Sequence, residues 1–123
     1  MDISNLSFNY GWRKPITFKL NEQDFVIDCV FSAFQGEQVT NEQEQSYKLF
    51  DNNHSDFELK VLELLNDYTE TNNITNSVVQ PTALQFNRDG EFALLCNCSW
   101  DEEHGIAVIL HPQQKVTMQD DFL

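Results

Sequence analysis

The spacing of apolar residues changes twice along this chain, from every second position to every third and fourth and back again. That double switch restricts it to strands, then helices, then strands. In Ile16-Thr17-Phe18-Lys19-Leu20 apolar and polar residues alternate, the period of a half-buried strand, and Pro15 punctuates its start. Asn21-Glu22-Gln23-Asp24 has turn chemistry, and residues 25–34 resume β-rich sequence before Gln35-Gly36. The two runs predict an antiparallel hairpin with a short polar loop.

The period then becomes helical. Thr40-Asn41-Glu42-Gln43 has the spacing of a capping box, in which the Thr40 hydroxyl accepts from a backbone N–H three residues on and Gln43 reaches back. Tyr47 and Phe50, with Leu49, give that helix an apolar stripe, and Asp51-Asn52-Asn53-His54 interrupts it with residues that favour turns. Ser55 and Glu58 repeat the capping-box spacing for a second helix. Phe57, Val61, Leu64, Leu65 and Tyr68 fall three and four apart and face a core, while Asp56, Lys60, Glu63, Asp67 and Glu70 face away from it.

Residues 69–80 are rich in Asn and Thr and read as a loop returning to the sheet. Strands are expected at 82–86, 92–100 and 105–110, with Asn87-Arg88-Asp89-Gly90 as a turn and a short further strand at 115–118. Strands on both sides of a helical pair imply an α+β domain: an antiparallel or mixed sheet of about five to six strands with two helices packed on one face. A chain of 123 residues, 41% hydrophobic with ten Phe, supplies one core and not two, so residues 1–123 read as a single domain.

Seven basic against twenty acidic residues give a formal net charge of −13. Nucleic acid and anionic membranes both select a basic footprint, so direct binding to either is not expected, and a basic protein is the natural complement. No run approaches the roughly 20 apolar residues of a membrane span, and Met1-Asp2-Ile3-Ser4 lacks the basic start of a leader, so the chain reads as cytoplasmic. Cys29, Cys96 and Cys98 are odd in number and sit in apolar runs, which points to buried thiols rather than a disulfide framework.

Chemistry concentrates in Trp100-Asp101-Glu102-Glu103-His104-Gly105, between two apolar runs. Phe92, Leu94, Cys96, Cys98 and Trp100 share one strand face, so Trp100 is expected to end a buried row. Asp101 can accept from nearby backbone amides, Gly105 can take a positive φ, and His104 can pair with a neighbouring carboxylate, all of which suits a hairpin connection. The alternative is an acid/base or metal cluster of Asp101, Glu103 and His104. Residues adjacent in a turn diverge, and His54 and His111 are not at ligand spacing from His104, so no metal is expected. With no P-loop, Gly-rich dinucleotide fingerprint or Cys-x-x-Cys pair, no cofactor is expected and no enzyme is inferred.

The order of hairpin, Thr40-x-x-Gln43 helix and second amphipathic helix, then Cys98-x-Trp100-Asp101-x-Glu103-His104-Gly105-Ile106-x-Val108 and a closing Gln119-Asp120, resembles a family of small, mostly bacterial proteins of unknown function. The resemblance runs from about Ile16 onward. With the acidity, it implies an immunity protein that neutralises a bacterial toxin, as in contact-dependent growth inhibition. Between Glu42 and Glu70 eight carboxylates stand against Lys48 and Lys60. On this reading Asp56, Glu58, Glu63, Asp67, Asp101 and Glu102 meet a basic toxin domain, a nuclease for example, by charge mimicry of its phosphates. A homo-oligomeric module is a further alternative.

Overall fold

The computed structural model describes residues 6–123; the Met1–Ser4 start lies outside the described residues. A seven-stranded sheet runs in chain order through β1 (Ser7–Phe8), β2 (Trp12–Leu20), β3 (Gln23–Phe31), β4 (Val79–Phe86), β5 (Phe92–Cys98), β6 (Ile106–His111) and β7 (Lys115–Met118). Between β3 and β4 lie α1 (Asn41–Asn52) and α2 (His54–Thr71), and α3 (Gln119–Phe122) follows β7. All neighbouring strands are antiparallel except β3 and β4, which are parallel because the helical pair carries the chain back to its starting end. The class is α+β as expected. The strand count is seven rather than five to six, and a third, short helix joins the two long ones. The additional strand, Ser7 and Phe8 against Arg13 and Trp12, is too short and too exposed to carry an alternating pattern.

The β2–β3 hairpin turns on Asn21 and Glu22 alone, both left-handed at φ 51° and 67°, the twist that fits a two-residue loop to right-twisted strands. Leu20 and Gln23 are the closing pair, so the alternating ladder aims the backbone groups of residues 13, 15, 17 and 19 away from β3. Pro15 therefore lies inside β2 rather than ahead of it: its missing N–H falls where β3 needs no donor.

Thr40 and Gln43 form the expected capping box, Thr40 Oγ1 accepting from Gln43 N at 3.0 Å and Gln43 Oε1 from Thr40 N at 2.9 Å. The buried Gln43 amide also donates to Ser32 O and Phe86 O, each at 3.0 Å, clasping the ends of β3 and β4. The Ser55–Glu58 capping box does not form. With α2 starting at His54, Ser55 sits inside the first turn, and the Glu58 carboxylate accepts instead from the Lys19 backbone N–H at 2.6 Å and meets His54 Nε2 at 3.1 Å.

The helices cover one sheet face. Phe18, Phe31, Phe50, Phe86, Phe92 and Leu94 are fully buried there. Ring centroids lie 4.8 Å apart for Phe86–Phe92 and 5.0 Å for Phe31–Phe86. Each such ring contributes about 1.5–3 kcal/mol by leaving water. On the other face α3 presses Phe122 against Ala93, Leu95, Ala107 and Ile109, so β5 and β6 are buried on both sides. On that face of β2 and β3 Thr17, Val26 and Asp28 are exposed, while Val30, beside Gly11, is buried. Parallel pairing of β3 and β4 is confined to Asp28–Phe31 with Ala83–Phe86. Beyond the irregularity at Pro81 the strands part around a cavity of 260 Å³ lined by Leu20, Phe25, Leu62, Leu65 and Val79.

Candidate functional site

Strand β5 ends at Cys98, and the chain turns through Trp100–Gly105 into β6. Trp100 is half-buried at the rim rather than closing a buried row, because the strand stops two residues before it; its ring lies tilted on Tyr68 of α2, centroids 6.1 Å apart. Asp101 organises the turn. Its Oδ1 accepts from His104 N at 3.2 Å and meets His104 Nδ1 at 2.9 Å, while its carbonyl accepts from Gly105 N at 3.0 Å and from Cys98 Sγ at 3.6 Å. Of the three carboxylates near His104, the one three residues back is the partner.

Gly105 is required twice over. Its φ of +70° disfavours any L side chain, and a Cβ there would stand 2.6 Å from Gln119 Nε2 and 2.7 Å from Cys96 O. The Gln119 amide lies across the glycine to donate to Cys96 O at 3.0 Å, and Gln119 N donates to Gly105 O at 3.4 Å. The motif is thereby tied to the start of α3. Gln119 stands fourteen positions from Gly105, so local spacing gives no hint of the contact.

Burial raises all three thiols. Cys29 is pushed up to about 12 and Cys96 higher still, each mainly by desolvation; Cys98 is also raised by desolvation, opposed by its bond to Asp101 O. None has the electropositive, accessible setting of a reactive cysteine. Among the described residues no group of three or more His, Cys, Asp or Glu side chains is placed to hold a metal ion.

The carboxylates singled out from the sequence divide into free and engaged ones. Asp56 and Asp67 are exposed on α2, and Glu63 is exposed with Lys60 Nζ at 3.2 Å. Glu58 is turned inward, its side chain only 16% exposed, so it is engaged within the fold. Asp101 is half-buried in the turn; Glu102 and Glu103 are exposed, Glu102 beside an open groove of 470 Å³ lined by Val78, Gln80, Asn97, Cys98 and Ser99. The Tyr68–Trp100 contact brings the α2 segment bearing Asp67 beside the turn bearing Asp101 and Glu102. No helix among the described residues is long and apolar enough to cross a membrane. No curated protein and no solved structure matches the chain. Residues 72–123, a narrower span than the motif order implied, match the model of a family described as a domain of unknown function (DUF6985), so the stretch from β4 to α3 with its Trp100–Gly105 turn is the part of this chain similar to that family.

Proposed function

We propose that this chain acts by binding a basic protein, most concretely as an immunity protein that neutralises a bacterial toxin. The observation that carries the reading is the Tyr68–Trp100 contact, which joins two acidic segments, exposed Asp67 on α2 and exposed Glu102 and Glu103 in the turn, at one end of the helix. Asp56 and Glu63 extend the acid along α2, where Lys60 is the nearby counter-charge. In a chain of net charge −13, such a surface speeds encounter with a cationic partner and pairs with the Lys and Arg that would hold phosphate in a nuclease. The test is capture of partners from a host extract at low and then rising salt. A basic protein that is retained, released by salt and weakened by Asp67→Asn with Glu102→Gln supports the reading. Recovery of no basic protein, or of the chain's own dimer alone, overturns it.

The 2.9 Å contact between Asp101 and His104 favours a second reading, acid/base chemistry at Asp101, Glu103 and His104. Both residues are already committed to shaping the turn, which makes it the weaker alternative. Retention of biological effect by His104→Ala would eliminate it.

A further inference from the structure

We propose that the groove between the last turns of α2 and β7 seats an arginine side chain of the partner, and that it selects arginine over lysine. The proposal rests on the reading above that the partner is basic, and it names the side chain received beside the Tyr68–Trp100 contact.

The groove has a volume of 240 Å³ and is lined by Leu64, Asp67, Tyr68, Thr71 and Asn72 of α2 and by Val116 of β7. Helical spacing sets Leu64, Tyr68 and Thr71 on one side of α2. Val116 pairs with Val108, whose side chain belongs to the core beneath the helices, so Val116 also points to the helix side of the sheet. Leu64 and Val116, both half-buried, give the groove apolar walls, and exposed Asp67 gives it a carboxylate. Tyr68 is half-buried, and its ring rests against Trp100, which limits its rotation.

The chain's own cations are elsewhere. The last turn of α2 contains no basic residue, and its carbonyls are met by neutral donors: Tyr68 O accepts from Asn72 Nδ2 and Thr69 O from Ile74 N, each at 2.8 Å. The negative end of the helix dipole therefore faces no positive side chain. Lys60 lies two turns back and is held by Glu63 at 3.2 Å. Lys115 precedes Val116, and strand alternation aims its side chain at the opposite face. Among the described residues Asp67 has no ion-pair partner. Strand β7 is the last of the sheet, about 29 Å across it from β1. The five residues before Leu6 could span at most about 18 Å.

Apolar walls, an aromatic ring and a carboxylate together fit a side chain with a long apolar stem and a flat cationic head. The methylenes lie along Leu64 and Val116, the guanidinium stacks on Tyr68, and two of its N–H groups donate to Asp67. Lysine matches the stem and the charge, but its ammonium neither stacks as a plane nor donates two parallel bonds.

The probes are blocked Gly-Arg-Gly and blocked Gly-Lys-Gly, equal in charge, titrated separately into the full chain with amide chemical-shift mapping. The arginine peptide is expected to bind about fivefold more tightly, with shifts centred on Leu64, Tyr68, Asn72 and Val116. Asp67→Asn weakens both peptides about threefold. Tyr68→Leu removes the advantage of arginine and leaves the two peptides equal. Thr71→Arg, which tethers an arginine at the groove, blocks the arginine peptide. Because Asp67 and Thr71 are exposed, their variants test the groove even if Tyr68→Leu does not fold. The proposal is overturned if neither peptide binds, if the two bind equally to the unaltered chain, or if the shifts centre on Asp56 or Glu102. Equal binding at the acidic face would leave the basic-partner reading standing without the groove, whereas a host extract without a basic protein would sink that reading while the preference for arginine stood.

Discussion

The two halves of the sheet are built on different terms. Strands β5 and β6 are buried on both faces, Phe92, Leu94, Ile106 and Val108 under the long helices and Ala93, Leu95, Ala107 and Ile109 under Phe122. Strands β2 and β3 are buried along one face, while the other is largely exposed, Val26 at 78%, with Val30 its buried exception. The doubly covered half falls within the stretch similar to the DUF6985 family; the other half and the helices beside it carry most of the acid. Burial and display are thus allotted to different parts of the chain. A strand closed on both sides has no face left for a partner, and one with a largely exposed face contributes less to the core.

The largest effect that tests this contrast is Phe122→Ala, which uncovers the far side of β5 and β6 and should cost about 3–5 kcal/mol in urea unfolding. A loss below about 1 kcal/mol would mean that α3 is not a true second layer. Gly105→Ala comes next, at about 2–4 kcal/mol, since a methyl group there meets Gln119 and Cys96 O at a left-handed φ. If Gln119→Ala restored most of that loss in the double variant, steric overlap rather than backbone strain would be its main source.

The thiol of Cys29 supplies a pH dependence. Its ordinary value of 9.0 is pushed up to about 12 by burial, so above pH 9 the unfolded chain releases a proton that the folded chain keeps. The unfolded state then binds fewer protons, and stability falls as pH rises from 9 toward 12, by about 1.4 kcal/mol per pH unit. Below pH 9 the contribution is fully present. Cys29→Ala should remove that share of the slope in denaturation curves taken across the window, leaving the part due to the other raised thiols, Cys96 and Cys98. The smallest effect is expected on the open face: Val26→Thr should change stability by less than about 0.5 kcal/mol, and a larger loss would show that face to be covered in solution.

Much of this arrangement is legible from residue spacing. The Thr40–Gln43 box, the hairpin of β2 and β3 and the even-numbered row of β5 follow from local chemistry, and each forms. What escapes is whatever depends on distant partners. The Ser55–Glu58 spacing suggests a cap, but a backbone amide at Lys19 offers that carboxylate a bond the helix start does not. The short α3 has too few residues for a period, and its one telling side chain, Phe122, matters only because the far side of β5 and β6 is apolar. At the turn, Asp101, His104 and Gly105 suggest a shaped connection, while the Tyr68 and Gln119 that complete it lie in other elements.

The β3–β4 seam is stitched over four residue pairs at the end clasped by Gln43, and beyond Pro81 it gapes around a cavity. Opening therefore has a direction: it begins at Gln23–Ile27, where no bonds to β4 must break, and stops at the clasp. The molecule is bound like a book along one short length of its spine, and the loose pages are those beside the displayed face of β2 and β3.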